Sequence, residues 1–338
     1  MAITLAVLQL LGGTVWISLQ GVVIPIAVGL SIKTLVAVVS KDREIRAMKS
    51  LLICLLVLCS SCPEDLRAER LKPGTNRVRL VHGEPREMLV RLPTDYDPEK
   101  RYPVVFGFHG AGGPMEGYHR QLEPLVRDHG YISVSPQGLS NGPRNRRGVT
   151  AWNGFENHRL SQADDIGFVR KAIDYLSQHA SIDHRRLFAT GGSSGAIFCF
   201  RLAMETDLFA AIAPMRGAMI KRPPVPIKRP RISILMVCGT KDGLFAGESK
   251  VPGEVFYPAH ETMRLWSKNH GSKAKPVIIK QTDKIRLTRF SPEKSGYELL
   301  LYGVRGSGHG LGRESMSRAI DYMARFFSER TRPPSPPQ

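Results

Sequence analysis

The sequence predicts an α/β protein, with a mostly parallel sheet covered on both faces by helices. Three observations carry this. Short apolar strand-like runs alternate with amphipathic helical stretches over most of the chain. At 187–195 an apolar strand runs directly into Gly191-Gly192-Ser193-Ser194-Gly195, and a helical pattern begins at once. Two later apolar runs each end in a glycine-bearing turn that holds one ionisable residue, Asp242 in one and His309 in the other.

The elements follow in order. Residues 78–81 and 87–92 flank His82-Gly83-Glu84-Pro85 and read as an antiparallel hairpin. Residues 104–109 form a short strand bounded by Pro103 and Gly110, and 118–129 have helical spacing through Leu122, Leu125 and Val126. A strand at 131–135 precedes an amphipathic helix at 164–179, where Ile166, Val169, Ile173 and Leu176 share one face. Strand 187–190 and helix 194–205 surround the serine turn. Strands at 210–214 and 232–238, a helix at 258–269, strands at 277–280, 285–290 and 298–304, and a helix at 315–328 complete one domain over 72–330. Residues 138–160 and the basic, proline-rich 221–231 read as irregular. Residues 331–338 read as a disordered tail.

The chain has 338 residues, 42% of them hydrophobic, and a formal net charge of +18. That length suits one large domain or two ordinary ones. The charge suits a basic soluble surface or attraction to an anionic polymer. No basic helix interleaved with aromatics appears, and no zinc or RNA-binding motif, so nucleic acid is not an expected partner. Cys54, Cys59 and Cys62 cluster near the start, and only Cys199 and Cys238 lie beyond. This spacing excludes a disulfide framework and makes the last two buried thiols.

The first 62 residues allow two readings. Residues 2–32 are nearly uncharged and long enough to span a bilayer. Further on, Met48-Lys49-Ser50 opens a basic start, an apolar run at 51–59 and a small-residue region, the pattern of a secretory signal peptide at 48–68. On that reading translation begins at Met48, and 1–47 is an upstream extension. On the other, 3–32 is a membrane segment. Ser60-Ser61-Cys62 partly matches a lipobox, with Cys59 where leucine is usual.

Chemistry enters at the serine turn. Gly191-Gly192-Ser193-Ser194-Gly195 fits Gly-x-Ser-x-Gly between a strand and a helix, which lifts the Ser193 hydroxyl clear of the sheet edge. A serine hydroxyl needs a base within reach, and the base needs an orienting carboxylate. Strand 232–238 ends in Gly239-Thr240-Lys241-Asp242-Gly243, and strand 298–304 ends in Arg305-Gly306-Ser307-Gly308-His309-Gly310. The chain order serine, aspartate, histidine assigns Ser193 as nucleophile, Asp242 as orienter and His309 as base and then acid. Ser194 is a rival nucleophile, but its frame ends in Ala196 instead of glycine. Two backbone amides must hold the developing anion. Ser194 N–H supplies one, and the loop His109-Gly110-Ala111-Gly112-Gly113 supplies the other, here assigned to Ala111. His109 supports that loop. Trp152 lies on the irregular segment, either as a platform for a sugar or aryl ring or as a cover over the core. Asp164 and Asp165 cap the following helix and brace nearby loops.

These residues resemble secreted α/β-hydrolases of the polyhydroxybutyrate depolymerase and feruloyl/acetylxylan esterase group. The likeness rests on Tyr96-Asp97-Pro98, Tyr102-Pro103-Val104-Val105-Phe106, His109-Gly110, Asp164-Asp165-Ile166-Gly167, Gly239-Thr240-Lys241-Asp242 and Gly308-His309-Gly310. It covers about residues 85–328. Two departures stand out: Ala196 replaces the last glycine of the serine motif, and Gly243 replaces a frequent proline. The resemblance implies the α/β-hydrolase fold and a serine esterase, secreted or held in the cell envelope, that needs no metal or organic cofactor. Its expected substrates are feruloyl or acetyl esters of polysaccharide, or short polyhydroxyalkanoate esters. A peptidase of the same fold and a binding protein without turnover are the alternatives. The absence of a substrate-binding domain after the tail argues against a dedicated degrader of solid polymer.

Overall fold

A computed structural model describes residues 9–11, 14–19, 22–27, 70–143, 147–155, 160–221, 232–248 and 255–332. Two compact units divide the chain, 1–67 and 68–338. In the first, β1 (Gln9–Leu11), β2 (Thr14–Leu19) and β3 (Val22–Ala27) form an antiparallel sheet within the apolar stretch. Among the described residues no helix is long and apolar enough to cross a membrane. The expected leader at 48–68, residues 222–231 of the basic loop and residues 333–338 of the tail lie outside the described residues.

The second unit is built on ten strands: β4 (Gly74–His82), β5 (Glu84–Leu92), β6 (Tyr102–Phe108), β7 (Ile132–Pro136), β8 (Ile182–Gly192), β9 (Ala211–Met215), β10 (Ser233–Gly239), β11 (Val277–Gln281), β12 (Ile285–Arg289) and β13 (Leu299–Val304). Their spatial order is β11-β12-β13-β10-β9-β8-β6-β7-β5-β4. The six strands from β13 to β7 are mutually parallel, and antiparallel strands continue the sheet at both ends. The β4–β5 hairpin turns at Gly83, whose φ of 69° is a left-handed conformation that glycine adopts without cost.

The parallel strands are apolar without interruption because both of their faces are buried. Ile234, Met236 and Cys238 of β10 enter one core, while Leu235 and Val237 enter the other. The first core lies under α3 (Asp165–His179), α4 (Ser194–Glu205) and α6 (Ala259–Asn269), through Val169, Leu176, Phe198, Leu202 and Trp266. The second lies under α1 (Met115–Gln121), α2 (Glu123–His129) and α7 (Arg313–Ser328), through Tyr118, Leu125, Ile320 and Phe327.

Three elements of the second unit differ from expectation. The helix expected at 118–129 begins earlier and breaks at Leu122 into α1 and α2. Pro124 donates no backbone hydrogen bond and crowds the preceding turn, so a single helix cannot run through it. The strand before the serine begins at Ile182 instead of 187, because Asp183, His184, Arg185 and Arg186 mask its start with charge. A one-turn helix, α5 (Gly243–Ala246), follows Asp242 and was not expected. Cys199 and Cys238 are buried free thiols, as the spacing implied.

Candidate active site

Strands β8, β10 and β13 are parallel to one another, so their carboxyl ends share one edge of the sheet. Ser193 follows β8, Asp242 follows β10, and His309 lies in the turn after β13. β8 and β10 are separated only by β9, a span of about 10 Å at ordinary strand spacing.

Ser193 carries the local strain expected of a nucleophile turn. Its φ is 55° and its ψ is −113°, a region that side chains other than glycine seldom occupy. The turn is anchored by Ser193 N–H, which donates to Met215 O at 3.0 Å, and by Ser193 O, which accepts from the amides of Ala196 and Ile197. Gly195 admits the close pass of β6: a Cβ at that position would overlap the carbonyl of Phe108. Ala196, the departure from the family motif, is matched elsewhere. A Cβ at Gly217 would lie 2.5 Å from the Ala196 methyl, so the bare Gly217 backbone makes room for it.

Asp242 and His309 meet directly. His309 Nδ1 lies 2.8 Å from Asp242 Oδ2, and Asp242 Oδ1 accepts from Leu244 N–H at 3.1 Å as the N-cap of α5. With the carboxylate so divided, Nδ1–H donates and His309 Nε2 is left as the acceptor. The Asp242 side chain is 6% exposed and the His309 side chain 49% exposed. The two loops are tied together: Lys241 N–H donates to Ser307 O at 2.8 Å, and Gly306 N–H donates to Thr240 Oγ1 at 3.0 Å. A Cβ at Gly239 would overlap the carbonyls of Ser307 and Gly308, so this approach requires glycine.

Ser194 is the first residue of α4, where backbone amides lack an intrahelical acceptor. Its hydroxyl is buried and accepts from Trp152 N–H at 3.3 Å, which gives it a structural role in place of the rival nucleophile role. In the loop after β6, Gly112 N–H donates to Thr150 O and Gly113 N–H to Gly110 O. Among the described residues the amides of Gly110 and Ala111 have no such acceptor, and a Cβ at Gly110 would lie 3.4 Å from both Gly192 O and the Ser193 Cβ. Ala111 is exposed on the same turn.

His109 is buried. Its Nε2 accepts from Gly138 N–H at 2.9 Å, so the proton sits on Nδ1 and donates to Gly110 O at 2.7 Å. Burial pushes this imidazole down, which keeps it neutral and shapes the loop. Trp152 corrects one expectation. It is fully buried, its Nε1–H donates to His109 O at 3.0 Å, and its ring stacks on Phe198 and meets Phe108 edge-on. No ring face is left for a ligand, because the indole fills the gap between α4 and the loop after β6.

Below this loop Asp164 caps α3 through Gly167 N–H at 2.9 Å, and Asp165 forms a fully buried pair with Arg86 at 2.7 Å. Asp165 also accepts from Asn153 N–H at 2.7 Å, and Arg86 lies over the Phe168 ring. Burial pushes the Asp165 carboxyl up and Arg86 pulls against it. Arg86 had no motif to reveal it. Arg216 also escaped sequence reasoning; it stands directly after β9 with a φ of 54°. A cavity of about 450 Å³ lined by Phe209, Ile232 and Ser233 opens at the amino ends of β9 and β10, on the edge opposite Ser193.

No family model matches the chain. Feruloyl esterase C of Emericella nidulans is 28% identical over 154 residues, 43% of this chain and 51% of that protein. Feruloyl esterase B of Piromyces equi is 25% identical over 259 residues, 71% of this chain and 45% of that protein. Esterase NocK of Nocardia uniformis subsp. tsuyamanensis is 29% identical over 241 residues, 63% of this chain and 66% of that protein. The chain thus spans about half the length of the first two relatives. Among solved structures, a thermophilic esterase of Thermogutta terrifontis with propionate bound aligns at a TM-score of 0.51 and 16% identity, over 76% of this chain and 94% of that one. An acetyl xylan esterase of Aspergillus awamori aligns at a TM-score of 0.50 and 14% identity, over 75% of this chain and 99% of that one. The structural likenesses show the α/β-hydrolase fold. The curated relatives support the feruloyl esterase part of the expected family, and its polyhydroxybutyrate depolymerase part stays an expectation.

Proposed function

We propose that this chain, an α/β-hydrolase related to the feruloyl and acetyl xylan esterases, is a serine carboxylic ester hydrolase. The observation that carries the reading is the hydrogen-bonded Asp242–His309 pair at the sheet edge where Ser193 takes its left-handed turn. On this reading the Ser193 hydroxyl attacks the ester carbonyl carbon while His309 Nε2 accepts its proton. Asp242 holds the Nδ1–H tautomer and stabilises the imidazolium that forms. The amide of Ser194 and that of Gly110 or Ala111 receive the oxyanion. The imidazolium protonates the departing alcohol, and water, deprotonated by His309, then cleaves the acyl-serine.

The names of the relatives favour feruloyl or acetyl esters, with a polysaccharide as the alcohol. Residues 48–68 are read as a leader that exports the protein, supported by Lys49 and the apolar run 51–59. The test is turnover of methyl ferulate and p-nitrophenyl acetate by the purified protein, with labelling by a fluorophosphonate. Both are expected, and both are expected to vanish in Ser193→Ala. Turnover that survives this substitution would refute the assignment.

A further inference from the structure

Arg216 is the one charged side chain that meets the serine turn without a partner among the described residues. Only Ser193 and Arg216 have a positive φ among the described residues other than glycine. A left-handed arginine is a strained backbone, and such strain gathers at functional sites. The backbone here is locked from both sides: Arg216 N–H donates to Val237 O at 2.7 Å, and Met215 O accepts from Ser193 N–H. The side chain then lies against the nucleophile turn. A Cβ at Gly192 would be 2.7 Å from Arg216 Nη2 and 3.4 Å from the Tyr118 ring.

Among the described residues the charge is uncompensated. The described residues offer Arg216 no ion pair, and its Nε is buried with no hydrogen-bond partner. Tyr118, which meets the same face of Gly192, is pushed up by burial and stays a neutral phenol, so it supplies no anion. By contrast Arg86, which is fully buried, has Asp165 at 2.7 Å. A half-buried guanidinium without a carboxylate is costly unless a ligand supplies one.

We infer that Arg216 is a specificity-determining residue that binds a carboxylate carried by the substrate close to the ester. The inference rests on Ser193 as the nucleophile. The carboxylate has two sources, the acid portion of the ester, as in a dicarboxylic monoester, or the alcohol portion, as in an esterified uronic acid unit. The net charge of +18 favours anionic substrates of either kind at long range.

The test compares kcat/KM for isosteric pairs: monomethyl succinate against methyl succinamate for the acid side, and an acetylated uronic acid glycoside against its uronamide counterpart for the alcohol side. The native protein is expected to prefer the acidic member of one pair by about tenfold or more, the scale of a charge-assisted hydrogen bond. Arg216→Gln is expected to erase that ratio, and Arg216→Lys to keep part of it. Arg305→Gln, an exposed cation in the His309 turn, is expected to leave the ratio in place. A native ratio near one for both pairs, or a preference that survives Arg216→Gln or is lost in Arg305→Gln, would overturn the inference. Calorimetric binding of succinate to native protein and to Arg216→Gln reads the same site without turnover. Equal binding to the two proteins overturns the Arg216 role, whereas failure to hydrolyse any ester, with succinate binding still lost in Arg216→Gln, overturns only the esterase reading.

Discussion

Trp152→Phe separates a core indole from a ligand platform. The native ring is wholly buried, its Nε1–H reaches His109 O at 3.0 Å, and its ring centroid lies 5.0 Å from that of Phe108 and 5.4 Å from that of Phe198. Phenylalanine keeps the aromatic contacts in part but cannot donate. The buried His109 carbonyl then loses its partner, at a cost of about 1–3 kcal/mol. The smaller ring leaves a void worth about 1 kcal/mol more. The sum, about 2–4 kcal/mol, corresponds to a fall in Tm of roughly 5–15 °C for a domain of this size. Thermal unfolding followed by circular dichroism measures it, with KM for an aryl ester determined alongside. A Tm within 2 °C of the native value, together with a several-fold rise in KM, would refute the reasoning and return Trp152 to the substrate cleft.

Other substitutions probe the remaining parts. Asp242→Asn keeps an acceptor for Leu244 N–H but removes the charge that orients His309, so kcat should fall about 10³–10⁴-fold with little change in Tm; steady-state kinetics on a simple ester decide it. His119 is buried against Thr75 Oγ1, and burial, then Arg91, pushes it down to about 4 from 6.5. The unfolded ring therefore gains a proton between these values that the folded ring refuses, so stability falls as pH drops from 6.5 towards 4, by about 1–3 kcal/mol. Urea midpoints across that range should show the slope, and His119→Gln should flatten it. Gly195→Ala places a methyl on the Phe108 carbonyl and should prevent accumulation of folded protein, whereas Gly117→Ala in α1, with open space around it, should raise Tm by a few degrees. Soluble expression and thermal melts of the pair provide the comparison.

Much of this molecule was legible in its residues. The alternation of apolar runs with helical stretches yielded nearly every strand and helix of the second unit, because a parallel sheet buried on both faces demands it. The serine, aspartate and histidine turns were legible because each follows an apolar strand and carries glycines where backbones must pass closely. Charge hid the first half of β8, and a proline divided a helix whose periodicity looked continuous.

Local pattern therefore established the architecture and the candidate reacting groups, since both are written in periodicity and turn chemistry. Roles that depend on a partner far along the chain needed the folded molecule. Trp152 became a core residue because Phe198 and the His109 carbonyl close around it. Arg86 became the mate of Asp165, and Arg216 came to rest on Gly192, through contacts no spacing rule encodes. Burial and pairing are properties of neighbours in space, and packing chooses those neighbours.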